Sequence, residues 1–263
     1  MSFTEKDFQD ALAQIGIIQN DNLFVHSNLG LLGASKPGLD IAQLVLDCLL
    51  RAVGKFGSII LPAFTYSHGH GRVFDKNSSS GLTKMGILTT KAFERGFFRS
   101  DDPMFSLLGE GHYIQKLITN EKQSSFGVGS AFRKIIDANS KVLSINMGVG
   151  STLLHEIENS FGANYRYLKE FHCDVANEPE NSIECINWKA YVRKIEIEGS
   201  GASFSRVTSL FTQTTNWHSV RIGRGQIGTY ELGKMEKFLK NILPSDQWLL
   251  TERGIPSQIH RNF

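Results

Sequence analysis

The sequence has few cysteines and no long apolar segment, and each absence excludes a class of protein. Three cysteines occur in 263 residues. The number is odd and no pair has CxxC spacing, so neither a disulfide scaffold nor a zinc site is expected. No apolar run approaches the roughly 18 residues that cross a membrane, and residues 1–7 carry acids in place of the apolar core of a signal peptide. These features predict a cytoplasmic protein.

Strong charge and internal repetition are also missing. The formal net charge is +2, the isoelectric point is about 8.4, and the basic residues are scattered, which argues against a nucleic-acid partner. The content of 41% hydrophobic and 21% charged residues is typical of a soluble globular enzyme. Because no repeat or low-complexity linker divides the chain, we expect one domain over residues 1–263.

Apolar strand patterns alternate with helical patterns through the first two thirds of the chain. The spacing predicts strands at 23–25, 58–62, 105–108 and from 142, and helices at 4–15, 40–53, 86–95 and 130–136. Residues 188–197 then alternate like an antiparallel strand, followed by a polar helical stretch and a final helix at about 230–243. We therefore predict the α/β class, with a central mixed sheet flanked by helices and antiparallel additions toward the C-terminus.

His155 is the most informative residue because of its surroundings. It follows an apolar strand and a glycine turn, on a helix that Ser151 or Thr152 caps and that carries Glu158 one turn later. Open α/β sheets build their sites just beyond such strand ends, and an imidazole paired with a carboxylate is suited to general base catalysis. A packed histidine with a solvated Glu158 fits this segment equally well.

Three other patterns are weaker. Gly148-Val149-Gly150 follows a strand, as in dinucleotide-binding turns, but Leu153 occupies the third glycine position. His68 and His70 lie in a polar loop without a third ligand at motif spacing, so no metal is expected. The G-x-S-x-G turn of serine hydrolases is absent.

Five segments, in order, resemble motifs of the aminoglycoside 3-N-acetyltransferase family. These segments are residues 23–33 (VHxSLxxxG), 57–65, 86–88 with 99–106, 126–130 (GxGSP) and 142–158 (TxxHxxE). The resemblance implies a single α/β domain that transfers an acetyl group from acetyl-CoA to an amine on a sugar ring. The chain departs from the motifs at Asp102, where the family has His, at Val128 in place of Glu, and at Ala131 in place of Pro.

The resemblance also implies roles for individual residues. The catalytic histidine corresponds to His155, with Glu158 or Asp102 orienting its ring. Glycine turns and helix starts favour anions through free N–H groups, so they suit the phosphates of CoA. The residues expected to bind this co-substrate are His26, Ser27, Asn28, Leu29, Gly30, Gly129, Ser130 and Arg133.

The charge balance bears on the acceptor. Aminoglycosides are polycations, and a chain that binds them is expected to present clustered acids, whereas this chain is slightly basic. Residues 66–83 and 165–173 carry tyrosines and basic side chains that suit a phosphate, a pyrimidine ring or a sugar face, unless they are only surface loops. The candidate substrate-binding residues are Thr65, Tyr66, Arg72 and Tyr167.

Three functions follow from these observations. The preferred one is acetylation of a nucleotide-linked amino sugar used to build surface polysaccharide of the O-antigen type. The second is true aminoglycoside acetylation, which confers antibiotic resistance. The third is a non-catalytic relative that binds CoA or a sugar. Each has small molecules as its partners, and the sequence leaves the oligomeric state open.

Overall fold

A computed structural model describes residues 3–33, 40–66, 71–177 and 182–253. Its strands are β1 Asn22–Ser27, β2 Ser58–Pro62, β3 Phe98–Arg99, β4 Leu107–Gly111, β5 Lys141–Ile145, β6 Arg166–Asn177, β7 Ser182–Arg193, β8 His218–Ile222 and β9 Gly225–Glu231. Its α-helices are α1 Glu5–Gln14, α2 Ile41–Val53, α3 Ile87–Glu94, α4 Ile114–Ile118, α5 Ala131–Asp137, α6 Leu153–Phe161, α7 Ser205–Phe211 and α8 Leu232–Ile242. Short 3-10 helices cover Leu29–Leu32 and Leu82–Met85.

Seven strands form one mixed sheet in the order β3-β4-β2-β1-β5-β9-β8. The three central strands are parallel, because β1 pairs in parallel with both β2 and β5. The outer strands β4 and β9 run antiparallel to β2 and β5, and β6 and β7 form a separate antiparallel hairpin. The predicted α/β class, with its mixed sheet and its antiparallel additions toward the C-terminus, is confirmed.

Strand β1 is buried on both faces of the sheet, which explains its continuous apolar sequence. Side chains alternate between the two faces of a strand. Leu23 and Val25 therefore join a core with residues of α1, α2 and α3, whereas Phe24 joins a second core with residues of α5, α6 and α8. Each of these three residues is 0–1% exposed, and truncating such a phenylalanine to alanine costs about 3–5 kcal/mol. The helices thus cover both faces of the sheet.

The helix starts follow the predicted caps. The Thr4 hydroxyl accepts from the Asp7 amide at 3.2 Å, and Asp7 accepts from the Thr4 amide at 2.7 Å, which forms a reciprocal capping box for α1. Asp40 caps α2 by accepting from the Gln43 amide at 3.0 Å. Each cap satisfies a backbone donor that has no partner within its helix.

Residues 212–231 are where the sequence prediction is wrong. A polar helix was expected up to a final helix from about 230, but α7 ends at Phe211, and β8 and β9 follow it as a hairpin. Ile222 pairs with Gly225 across a turn made by Gly223 and Arg224, and Gly223 has a φ of 58°. A positive φ in a two-residue hairpin turn favours glycine. Strand β4 also lies later than predicted, and β6 was not predicted at all.

The longest helix among the described residues, α2, has 13 residues. That is too short to span a bilayer, and no helix in the described ranges meets the length and apolarity that a membrane span requires.

Candidate active site

The carboxyl ends of the three parallel strands meet at one edge of the sheet. Strand β1 has β2 on one side and β5 on the other, so the chain leaves β1 toward β2 in one direction and later returns beside it as β5. Open α/β sheets bind ligands in the crevice at such a switch point. A cavity of about 570 Å³ lies here, which we call the strand-end cavity. It is lined by Val25, His26, Ser27, Asn28, Gly30, Pro62, Phe64, Tyr66, Lys84, Met85, Gly86, Ile87, Thr89, Met147 and Thr152.

A second cavity of about 430 Å³, which we call the histidine cavity, contains His155. Its lining residues are Tyr66, Phe105, Phe126, Thr152, His155, Arg166, Tyr191, Arg193, Gly201, Ala202 and Glu252. Tyr66 and Thr152 line both cavities. The two spaces therefore adjoin at these two side chains, one turn of helix from His155.

Helix α6 holds His155 at the junction. The Ser151 hydroxyl accepts from the Leu153 amide at 3.2 Å, whereas Thr152 makes no side-chain capping bond, so Ser151 is the residue that fulfils the predicted capping role. The Phe204 ring lies 5.4 Å from the His155 ring. A Cβ atom at Gly150 would come within 2.5 Å of Phe204. The glycine before the helix is thus needed so that Phe204 can pack beside His155.

Glu158 is the buried partner of the His155 ring. One carboxylate oxygen of Glu158 contacts Nδ1 of His155, and the other accepts from the Tyr165 hydroxyl. The Nε atom of Arg166 lies 3.2 Å from Glu158, although the pair lacks hydrogen-bond geometry. The Glu158 side chain is 0% exposed. The alternative of a packed histidine beside a solvated Glu158 is therefore wrong.

The electrostatics keep this carboxylate charged. Burial alone would raise the pKa of Glu158, but His155, Arg166 and Tyr165 outweigh that effect and hold the pKa of the carboxyl below its usual value. Burial, together with Glu158, raises the pKa of Tyr165, which stays a hydrogen-bond donor. A carboxylate at Nδ1 favours the tautomer with its proton on Nδ1, which leaves Nε2 of His155 free to accept a proton.

Asp102, the other carboxylate predicted to orient His155, has a different role. Its Oδ1 atom accepts from the amides of Met104 at 2.9 Å and Phe105 at 2.7 Å, and its Oδ2 atom accepts from Asn120 at 3.3 Å. Asp102 is 2% exposed, and burial raises its pKa. It stabilises the turn before β4, and within the described chain the carboxylate that contacts His155 is Glu158.

The predicted CoA-binding residues divide into two groups. His26, Ser27, Asn28 and Gly30 all line the strand-end cavity. Leu29 does not, because its side chain is 4% exposed and belongs to the core on the α2 side of the sheet. The first motif therefore supplies cavity residues at the end of β1, with one core residue among them.

The second group, at the start of α5, lies outside both cavities. The Ser130 hydroxyl accepts from the Arg133 amide at 3.1 Å and so caps the helix. The Arg133 guanidinium pairs with Asp137 at 2.6 Å and with Glu236 at 2.9 Å. A Cβ atom at Gly129 would meet Glu121 at 2.9 Å. The chain itself thus neutralises the groups that were predicted to bind phosphate here.

His26 is the one titratable side chain at the end of β1. Burial lowers its pKa to about 4, so the imidazole is neutral at physiological pH. Its ring lies 5.2 Å from the Phe24 ring, and its Nε2 atom is buried without a hydrogen-bond partner among the described residues.

Of the predicted substrate-binding residues, Tyr66 lines both cavities. Its φ of 49° is unusual for tyrosine, and its ring packs edge-on against Phe105 at 5.4 Å. Thr65, Arg72 and Tyr167 lie outside both cavities. Arg72 is two residues from the bridge between Phe74 and Val175, roughly 30 Å along β6 from Arg166. Tyr167 follows Arg166 on β6, so its side chain points to the opposite face.

Sequence reasoning missed two charged residues of the histidine cavity, Arg193 and Glu252. Both come from segments far from His155 in the chain, and no motif marks either one. Arg193 is the cross-strand partner of Arg166 in the β6–β7 hairpin. Like charges directly opposite each other destabilise a strand pair. Two arginines therefore face one cavity at the expense of hairpin stability.

His68 and His70, the two histidines weighed as metal ligands in the sequence, lie outside the described residues. In the ranges that are described, no three His, Cys, Asp or Glu side chains are grouped so that they could hold a metal ion.

Solved structures of other proteins share this fold. A structure described as AAC-IIIb with CoASH is 19% identical, with 90% of this chain and 95% of that chain covered and a TM-score of 0.75. AAC-VIa bound to sisomicin is 17% identical, with coverages of 90% and 96% and a TM-score of 0.77. The YokD protein from Bacillus subtilis is 16% identical, with coverages of 94% and 95% and a TM-score of 0.75. These likenesses establish the fold.

The sequence comparisons establish the family. Among curated proteins, no sequence matches this chain. The family model described as aminoglycoside 3-N-acetyltransferase matches residues 24–244, well over half of the chain. The predicted acetyltransferase class is confirmed at the level of the family, and the chain belongs to the aminoglycoside 3-N-acetyltransferase family.

Proposed function

We propose that the protein is an acetyl-CoA-dependent N-acetyltransferase that acts on an anionic amino sugar, preferably one linked to a nucleotide and used for surface polysaccharide of the O-antigen type. The cytoplasmic location predicted from the sequence is part of this proposal. The observation that carries it is the histidine cavity, which places a His155–Glu158 pair beside Arg166 and Arg193. The first pair suits proton transfer from an amine, and the second pair suits an acceptor with negative charge.

The reaction is direct transfer. The acceptor amine arrives as ammonium and loses a proton to solvent before it can attack. Nε2 of His155 takes a proton from the nitrogen as the nitrogen bonds to the thioester carbon. The tetrahedral intermediate then collapses, the C–S bond breaks, and the CoA thiolate receives a proton. The ionised Glu158 stabilises the imidazolium, and general base action of this kind is typically worth 10²–10⁴-fold.

The donor occupies the strand-end cavity in this proposal. Its walls are the ends of β1 and β2, the turn after β5 and the segment 84–89 at the start of α3, and they are largely apolar. Such a groove suits the pantetheine arm, which alternates apolar segments with amides. The thioester end lies at Tyr66 and Thr152, where the two cavities adjoin. The related fold described with CoASH supports this use of the cavity, and positioning two substrates together supplies much of the remaining rate enhancement.

The acceptor is distinguished by charge. Aminoglycosides carry several ammonium groups, which Arg193 repels, whereas the charge of Arg166 is partly compensated by Glu158. A sugar diphosphate instead relieves the repulsion between Arg166 and Arg193, since a guanidinium binds phosphate oxygens in a bidentate manner. Glu252, on the same cavity wall, remains available for a sugar hydroxyl or the amine. The family name and the sisomicin complex of AAC-VIa keep aminoglycoside acetylation as the alternative.

The test is release of free thiol from acetyl-CoA with a panel of nucleotide-linked amino sugars, the matching sugar phosphates, free amino sugars and aminoglycosides. His155→Ala is compared with His172→Ala, because His172 is an exposed histidine of the hairpin that contacts Asn187 and lies in neither cavity. We expect turnover with the anionic acceptors, a fall of about 10²–10⁴-fold in His155→Ala, and no change in His172→Ala.

Other outcomes are equally informative. Turnover with aminoglycosides alone contradicts the anionic acceptor and leaves the His155 mechanism standing. Turnover that survives His155→Ala contradicts the mechanism. No turnover with any acceptor, together with retained CoA binding, identifies the protein as a non-catalytic relative.

A further inference from the structure

A third cavity, beside the strand-end cavity, carries two arginines. It has a volume of about 400 Å³ and is lined by Asn146, Arg221, Arg224, Gly225 and Gln226. We call it the hairpin cavity because four of these residues belong to the β8–β9 hairpin. This hairpin was not predicted from the sequence, and no residue of it has a role in the function proposed above.

Asn146 connects the hairpin cavity to the strand-end cavity. Its side-chain amide donates to the Asn28 carbonyl at 3.0 Å, and its side-chain oxygen accepts from the Gln226 amide at 2.8 Å. Asn28 and Met147, on either side of this connection, both line the strand-end cavity. A ligand that extends out of the strand-end cavity past Asn28 therefore reaches the two arginines.

The backbone that bears the arginines is held against the first motif. The Arg224 amide donates to the Leu32 carbonyl at 3.0 Å. A Cβ atom at Gly223 would lie 2.2 Å from the same carbonyl oxygen, which shows how closely the hairpin turn packs there. The two guanidinium groups thus extend from a fixed turn, and binding an anion requires no rearrangement of the backbone.

Both guanidinium groups are available to a ligand. Neither Arg221 nor Arg224 has an ion pair or a side-chain hydrogen bond with any residue in the described ranges. In the strand-end cavity, by contrast, Lys84 is the one lining residue with a permanent charge among those the structure describes. A donor with a pyrophosphate and a further phosphate monoester carries more negative charge than one lysine offsets.

We propose that Arg221 and Arg224 bind the 3′-phosphate on the adenosine of acetyl-CoA, and that they make the enzyme selective for CoA over its 3′-dephospho form. The proposal rests on the proposed function for the identity of the donor. A phosphate monoester presents three terminal oxygens, which two guanidinium groups can share through bidentate hydrogen bonds. Arg221, Arg224 and Gln226 are exposed, and none of the residues of the hairpin cavity lines the histidine cavity, which suits the end of the donor that does not react.

The experiment compares CoA with 3′-dephospho-CoA, first by calorimetric binding and then as acetylated donors in the thiol-release assay. The variants are Arg221→Ala, Arg224→Ala and the double variant. Arg72→Ala is the matched control, because Arg72 is an exposed arginine that lies in none of the three cavities.

We expect wild type to bind CoA at least about 10-fold more tightly than 3′-dephospho-CoA, since a hydrogen bond to a charged group is worth roughly 1.5–3 kcal/mol. The double variant raises the Kd and KM of the CoA donor about 10–100-fold, leaves kcat unchanged and abolishes the preference, because the contact is equally strong in ground and transition states. Raising the salt concentration weakens CoA binding by wild type more than it weakens CoA binding by the double variant.

Equal affinity of wild type for CoA and 3′-dephospho-CoA overturns the proposal. The proposal is also overturned if the double variant loses affinity for both donors to the same extent. The binding measurement needs no acceptor, so an incorrect acceptor or base assignment leaves its result intact. Absence of CoA binding to wild type contradicts the donor assignment itself and the phosphate site with it.

Discussion

The strand-end cavity and the histidine cavity are built from different parts of the molecule. The first lies at the ends of β1, β2 and β5, and its walls continue from strands whose apolar side chains are completely buried. The second is closed by side chains from α6, the β6–β7 hairpin and the segments around residues 201 and 252. Most of its charged groups, Arg166, Arg193 and Glu252, belong to elements outside the seven-stranded sheet.

This difference separates folding from acceptor choice. The cavity residues Val25 and Phe64 are also buried in the two cores, so substitutions of these residues are expected to affect stability. The part of the histidine cavity that we assign to the acceptor, which we call the acceptor wall, includes Arg193 and Glu252. Substitutions of these two residues disturb neither core. The predictions that follow test this separation, starting with the largest effect.

The largest effect is expected for Glu158→Gln, which changes the partner of His155 in the histidine cavity. The amide keeps the shape of the side chain but loses the charge that stabilises a protonated His155, so kcat falls by about 10²–10⁴-fold. Steady-state kinetics measure this, and the KM for acetyl-CoA stays within about twofold, as expected for an interaction that matters in the transition state. Glu170→Gln, an exposed glutamate on β6, is the control. A raised KM for acetyl-CoA at constant kcat would show that the two cavities are not separate.

The next effect concerns the strand-end cavity and stability. The pKa of His26 is about 4 in the folded protein and near 6.5 when unfolded. Between these values the unfolded chain binds more protons, so stability is lost as the pH falls from about 6.5 to 4, by about 3 kcal/mol in total.

The substitution His26→Gln removes this pH-dependent loss of stability. Urea unfolding at pH 7 and pH 4.5 should show a smaller decrease in the free energy of unfolding for the variant than for wild type. The carboxylates titrate equally in both proteins and cancel in the comparison. Parallel pH profiles for the two proteins would mean that His26 does not couple the cavity to folding.

A smaller effect is expected for Arg193→Ala, which removes one exposed arginine of the acceptor wall. The KM for an anionic amino sugar should rise about 10-fold, which corresponds to about 1.4 kcal/mol of lost phosphate binding. The KM for acetyl-CoA should stay unchanged, and the free energy of unfolding should rise by up to about 0.5 kcal/mol, because the repulsion of the cross-strand partner Arg166 is relieved. The matched substrate is the same sugar without its phosphates, whose KM the substitution should not raise. An equal increase for both sugars would remove the charge argument.

The smallest effect is expected for Ser130→Ala. The variant loses the N-cap of α5 and should be destabilised by about 1 kcal/mol, measured by thermal or urea unfolding. Because Ser130 lies outside the strand-end cavity, the KM for acetyl-CoA should not change. A higher KM for acetyl-CoA would show that the start of α5 contributes to donor binding and that the donor site extends beyond the strand ends.

The sequence predicted the centre of the fold well because local rules decide it. The apolar runs that became β1 and β5 are buried on both faces, and the caps at Thr4, Asp40 and Ser130 act within three residues. His155 and Glu158 share a helix face because helical geometry places residues three apart side by side. These parts of the fold and site depend on residues that are close together in the chain.

The remaining site features depend on residues far apart. Arg133 was predicted to bind phosphate, but it pairs with Glu236, more than 100 residues later. Asp102 lies within a motif that suggested catalysis, yet its carboxylate oxygens accept hydrogen bonds from a local turn and from Asn120. In residues 212–231 the glycines and polar side chains weakened the strand pattern, although the turn at Gly223 was a readable hairpin signal. Such pairings are settled by tertiary packing, which a single sequence does not show.

The meeting of the two cavities at Tyr66 and Thr152 has a consequence for which acyl groups the enzyme can transfer. In the donor position proposed above, the methyl group of the acetyl thioester lies where these two side chains meet, and the Tyr66 ring packs there against Phe64 and Phe105. Every added methylene would have to displace that aromatic packing or enter the space of the acceptor. The same two residues thus set an upper limit on acyl-chain length.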